Sequence, residues 1–88
     1  MRMVEEHHRL IVFNSIHRVM MAEMALKDQF DMVLMPVPRS ITADCGMVIR
    51  IGEDVCDAVV DVLTVKGLTP VTIYCLRGEA FELVGEFS

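Results

Sequence analysis

Apolar residues fall along this chain in two alternating rhythms. Leu10-Ile11-Val12-Phe13 is a short unbroken run of strand type. Asn14 and Ser15 then offer helix N-cap chemistry, and Val19, Ala22, Leu26 and Phe30 recur at intervals of three or four. That spacing predicts a helix from Ile16 to about Phe30, with Arg18, Lys27 and Asp28 off its buried stripe. Met32 to Met35 predicts a second strand. Met47-Val48-Ile49-Arg50-Ile51 predicts a third, with Met47, Ile49 and Ile51 on one face and Val48 and Arg50 on the other. Val55, Val59, Val62 and Leu63 mark a second helix, with Glu53 and Asp54 at its start and Gly67 as its stop. Val71 to Leu76 predicts a fourth strand. Glu79 to Phe87 alternates weakly, as a fifth edge strand or a loose tail.

The order β-α-β-β-α-β in so short a chain predicts an α+β fold of ferredoxin-like type. The expected architecture is a four-stranded antiparallel sheet with two helices on one face. Residues 1–88 form a single domain, its core from about 9 to 76, with 1–8 and 77–88 peripheral.

Between the second and third strands lies a loop longer than a reversal of direction needs, Pro36-Val37-Pro38-Arg39-Ser40-Ile41-Thr42-Ala43-Asp44-Cys45-Gly46. Its two prolines fix φ and offer no N–H to a ladder. Cys45 stands against a glycine, where backbone can bend or approach closely. In the predicted topology the tip of this hairpin shares a sheet end with the start of the first helix. A thiol there, on the side of Met47 and Ile49, would meet the free amides after Asn14 and Ser15, which favour an anion. Arg39 can fold back as a second positive group, or pair with a surface acid and only brace the loop. His17 and Arg18 lie in the helix's first turn, and Asp44 opposes the effect. A cysteine depressed by about two pKa units from ~8.5 would be mostly thiolate at neutral pH.

Composition narrows the classes. Eight basic against thirteen acidic side chains leave a formal charge of −5, which lacks the basic footprint of a nucleic-acid or anionic-membrane binder. No run approaches the ~18 apolar residues of a membrane span. Met1 to His8 turns to acids and histidines after four residues, unlike a signal peptide. Three cysteines without a Cys-x-x-Cys pair suggest reduced thiols and a cytoplasmic setting. The 53% hydrophobic content suggests apolar surface covered by a second subunit. The sheet face carrying Tyr74 and Val48 is the expected place for a twin. Eight methionines without tryptophan suggest an adaptable core. Cys56 and Cys75 read as structural thiols, and His7 and His8 as part of a frayed end. No metal site or resident cofactor is expected.

Pro36-Val37-Pro38-Arg39, Ile41-Thr42 and Cys45-Gly46, followed by an aliphatic strand, resemble the signature of the selenium/sulfur carrier-like family. Ala22-Glu23 followed by Leu26-Lys27 is similar to that family's first helix. The resemblance runs from about Arg9 to Tyr74. It departs at Phe30-Asp31, where the family usually has a glycine turn. It implies a covalent carrier without turnover of its own, holding a persulfide or selenopersulfide on Cys45. Arg39, Gly46, Thr42 and Pro38 are the implied binding residues, and Ser15 joins them from the helix-start argument above. The implied donor is a pyridoxal-phosphate-dependent cysteine or selenocysteine lyase, and the acceptor a selenophosphate-forming or thiolating enzyme. A ligand-sensing module and a plain protein-interaction module of the same fold remain the alternatives.

Overall fold

The structure is a computed structural model that describes residues 3–41 and 46–88. Its order is β1 (His8–Phe13), α1 (Ile16–Leu26), β2 (Met32–Pro36), β3 (Met47–Gly52), a single 3-10 turn (Glu53–Val55), α2 (Cys56–Val65), β4 (Val71–Arg77) and β5 (Ala80–Phe87). The strands form one antiparallel sheet in the order β2-β3-β1-β4-β5.

The expected count of four strands is thus corrected to five. The weak alternation after Glu79 is that of an edge strand, which needs one packed neighbour and leaves much of its surface in solvent. β5 pairs with β4 from Arg77↔Ala80 to Val71↔Phe87, with a register shift at Ile73/Tyr74. Phe81 contributes to the core, whereas Leu83, Val84 and Phe87 are exposed.

Both helices cover one face. Val19, Ala22 and Leu26 of α1 and Val59, Val60 and Leu63 of α2 bury against Ile11, Phe13, Ile49, Ile51, Val71 and Ile73. The period-2 alternation of β3 behaves as expected, with Ile49 and Ile51 on this side and Val48 on the other. α1 ends at Leu26, four residues before the expected Phe30. There the Leu26 carbonyl accepts from both the Gln29 and Phe30 amides, turning the chain out of the helix. Phe30 still packs against the helix-side core, which is why its spacing continued the stripe. α2 ends as Gly67 allows. Gly67 takes φ 71°, its amide donates to Thr64 O and that of Leu68 to Leu63 O, the paired bonds of a Schellman stop.

The other face is closed by the chain itself. Leu10, Val12, Met35, Val48 and Leu76 form a second buried cluster with Val4 from the N-terminal segment and Ile41 from the hairpin loop. Val48 is fully buried and Tyr74 half-buried, so these two residues offer less open apolar surface than the sequence suggests. The methionines fill the expected core role only in part, with Met32 and Met47 packed against the helix-side core. Met35 is buried, but Met3, Met20, Met21 and Met24 are exposed.

The segment before β1 is tied down by polar contacts. The Arg50 guanidinium donates to the Met3 carbonyl, and the Glu53 amide donates to His7 O at 2.8 Å. His8 is not frayed; it pairs with Gly52, and its Nδ1 accepts from the Glu5 amide at 2.8 Å. Burial, then Arg50 and His7, lower the His8 pKa, with Glu5 opposing them. A histidine depressed in the folded state adds stability that is present above its ordinary value of ~6.5 and is lost as pH falls through the lower folded value. Denaturation midpoints are therefore expected to fall with acidification below that range, and His8→Gln to flatten this part of the profile.

Candidate functional site

The hairpin β2–β3 carries the residues singled out in the sequence. Its last strand pair is Pro36↔Met47, beyond which Val37 N–H donates to Gly46 O at 3.0 Å and closes the loop. The Ile41 amide donates to Pro38 O at 3.0 Å, making a tight turn whose outer residues, Arg39 and Ser40, are exposed. Gly46 takes φ 74° with nothing within 4 Å of a would-be Cβ. Glycine is required there by backbone conformation and not by lack of room.

The expected coincidence of hairpin tip and helix start holds. Val12 pairs with Val48 and Pro36 with Met47, so the loop leaves the sheet at the end where β1 turns into α1. Phe13↔Val71 brings the α2–β4 connection to that end as well. Ser15 is the N-cap of α1, its Oγ accepting from the Arg18 amide at 3.2 Å. That serves one of the first-turn amides, which have no partners inside the helix. The Arg18 guanidinium donates to Gly67 O at 3.1 Å and Thr69 O at 2.6 Å. It staples α1 to the α2–β4 connection.

Of the implied site residues, the fold brings Pro38, Arg39, Gly46 and Ser15 to one sheet end. Arg39 has no partner among the described residues. Cys45 and Thr42 lie outside the described residues. The other two cysteines suit nucleophilic work poorly. Cys75 is buried in β4, and Cys56 is half-buried at the start of α2 against the helix-side core. Burial pushes the Cys56 thiol up, with Arg9 opposing and Asp57 adding to the shift, so the reactive thiolate is disfavoured there.

Two features carry no local signature in the sequence. Ile41 is 4% exposed and plants the loop into the face opposite the helices. A bulky aliphatic set between Ser40 and Thr42 is the hint of it. An apolar groove of about 450 Å³ runs beside the loop, between Pro36 and Pro38 on one side and Leu76 and Phe81 on the other. Among the described residues, no group of three or more His, Cys, Asp or Glu could hold a metal ion. No helix among them is long and apolar enough to cross a membrane.

Comparison with known proteins gave no match among curated proteins and none among solved structures. A family model, described as "Putative Se/S carrier protein-like", matches residues 8–75, a span that contains the whole β2–β3 hairpin and its loop. With that match over most of its length, the chain belongs to the Se/S carrier-like family.

Proposed function

We propose that this protein is a small carrier of sulfur or selenium that holds the atom on Cys45 as a persulfide or selenopersulfide. The observation that carries this reading is the family match across the hairpin loop. Two further points support it: Cys75 is buried and Cys56 half-buried with its thiol pushed up by burial, and the loop shares a sheet end with the start of α1.

The chemistry asked of Cys45 is a sulfane-sulfur exchange. The thiolate attacks the outer sulfur of a donor enzyme's persulfide, a new S–S bond forms, the donor's S–S bond breaks, and the donor cysteine leaves as a thiolate. Electrons and charge balance without an external oxidant. Arg39, the loop amides about Thr42 and Gly46, and the first-turn amides beyond Ser15 would stabilise the anionic sulfur at both stages. Pro36 and Pro38 would limit loop motion. The donor in this reading is a pyridoxal-phosphate-dependent cysteine or selenocysteine lyase, whose cofactor belongs to that enzyme. The acceptor is a selenophosphate-forming or thiolating enzyme. The protein itself has no turnover, and its setting is the reducing cytoplasm, where such thiols persist. We also infer that the first four strands and the two helices are of ferredoxin-like type, with β5 added at the edge next to β4, because β4-β1-β3-β2 is the order two interleaved βαβ units give.

Incubation with a cysteine desulfurase and cysteine is expected to raise the intact mass by about one sulfur atom. Cys45→Ser should abolish the increase and Cys56→Ser should not. No adduct on the unmodified chain would point to a ligand-sensing or interaction module instead.

A further inference from the structure

The outward face of α1 is made of soft donors. At 3.6 residues per turn, His17, Met20, Met21 and Met24 fall within an arc of about 100°, centred opposite the buried Val19, Ala22 and Leu26. All four are exposed, Met20 by 47%, Met21 by 45% and Met24 by 69%. An amphipathic helix normally sets charged and polar side chains on this face. Here three thioethers and an imidazole occupy it, and Glu23 and Lys27 lie to one side.

We propose that His17, Met20, Met21 and Met24 form a surface site for a soft monovalent cation, Cu(I). Thioether sulfur is a ligand that selects Cu(I) over harder ions. The pairs His17/Met20, His17/Met21, Met20/Met24 and Met21/Met24 are three or four residues apart, which sets their Cβ atoms ~5–6 Å from one another on a helix surface. Methionine has three rotatable bonds, so neighbouring sulfurs can be drawn in around one small ion without any change in the backbone. All four ligands are neutral when His17 is unprotonated, so a single positive charge is held without burying an anion beside it. The excess of acidic side chains in the chain favours cations near its surface. Leucine would cover the same face equally well if it served only as apolar surface, but would offer no donor.

Ag(I), the redox-inert analogue, is the probe, added in chloride-free buffer to the full chain carrying 13C-methyl methionine. Thiols take the first equivalents. The next equivalent is expected to shift the methyl signals of Met20, Met21 and Met24 and the ring signals of His17 together, leaving Met3 unmoved. Met20→Leu with Met24→Leu, which keeps the face apolar and the helix intact, should weaken this second phase by about tenfold or more. Met3→Leu should leave it unchanged. Silver held by the cysteines alone, shifts shared equally by Met3, or an unchanged second phase in the double variant would each overturn the proposal.

Discussion

Ile11→Ala is expected to remove about 2–5 kcal/mol of stability, as large a loss as a single core truncation gives. Ile11 sits in the middle of β1, the central strand, opposite Ile49 on one side and Ile73 on the other, and is fully buried under the helices. No neighbour can collapse into the gap, because ladders on both flanks and helices above hold the walls. A domain of this length has roughly 4–13 kcal/mol in total at ~0.05–0.15 kcal/mol per residue, so the variant would lose a large share of it. Urea denaturation should show a lowered midpoint with an unchanged slope. Val65→Ala, at a site 86% exposed on α2, should stay within about 0.5 kcal/mol of the unmodified chain. Equal losses at both positions would contradict the placement of the core.

Ile41→Ala is the second large effect, and it differs in kind. Ile41 belongs to the buried cluster opposite the helices, yet it is reached only through the hairpin loop. When its side chain is cut back, the loop can release while the sheet stays folded, so local opening limits the global loss. About 2 kcal/mol is expected, at the lower end of the large-to-small range. The clearer readout is limited proteolysis. Arg39 lies two residues before the anchor, in an exposed turn, and trypsin should cut after it faster in the variant. Sulfur loading should fall in parallel, since the residues proposed to hold the adduct sit in that loop. Unchanged cleavage and stability would show that Ile41 does not anchor the loop.

Much of the fold was legible because hydrophobic period reports burial directly. The alternation of β3, the stripe of α1 and the glycine stop after α2 all arise from contacts within a few residues. Features set by partners distant in sequence were not legible. Arg18 reads as a first-turn cation, but its guanidinium is committed to carbonyls about fifty residues away, at Gly67 and Thr69. Val48 reads as half of an open sheet face, but it is buried in one cluster with Val4 from the N-terminal segment and Ile41 from the hairpin loop. Phe30 reads as the last turn of α1 because it packs as that turn would, although the helix has already ended at Leu26. The methionines divide: Met35 is buried and Met32 and Met47 pack against the core, whereas α1 carries Met20, Met21 and Met24 outward. At the candidate site, sequence placed the hairpin tip and the helix N-cap at one end of the sheet, and strand register agrees. Cys45 and Thr42 lie outside the described residues, so their part in the site rests on the motif and the family.

The carrier reading assigns the transferred atom to one cysteine of three, and trypsin separates all three. Cleavage after Arg39, Arg50, Lys66 and Arg77 places Cys45 in Ser40–Arg50, Cys56 in Ile51–Lys66 and Cys75 in Gly67–Arg77. The protein is loaded from a desulfurase with isotopically labelled cysteine, alkylated to trap the persulfide, and digested. The label is expected on Ser40–Arg50 alone. Label on either of the other two peptides, with none on Ser40–Arg50, would contradict the account.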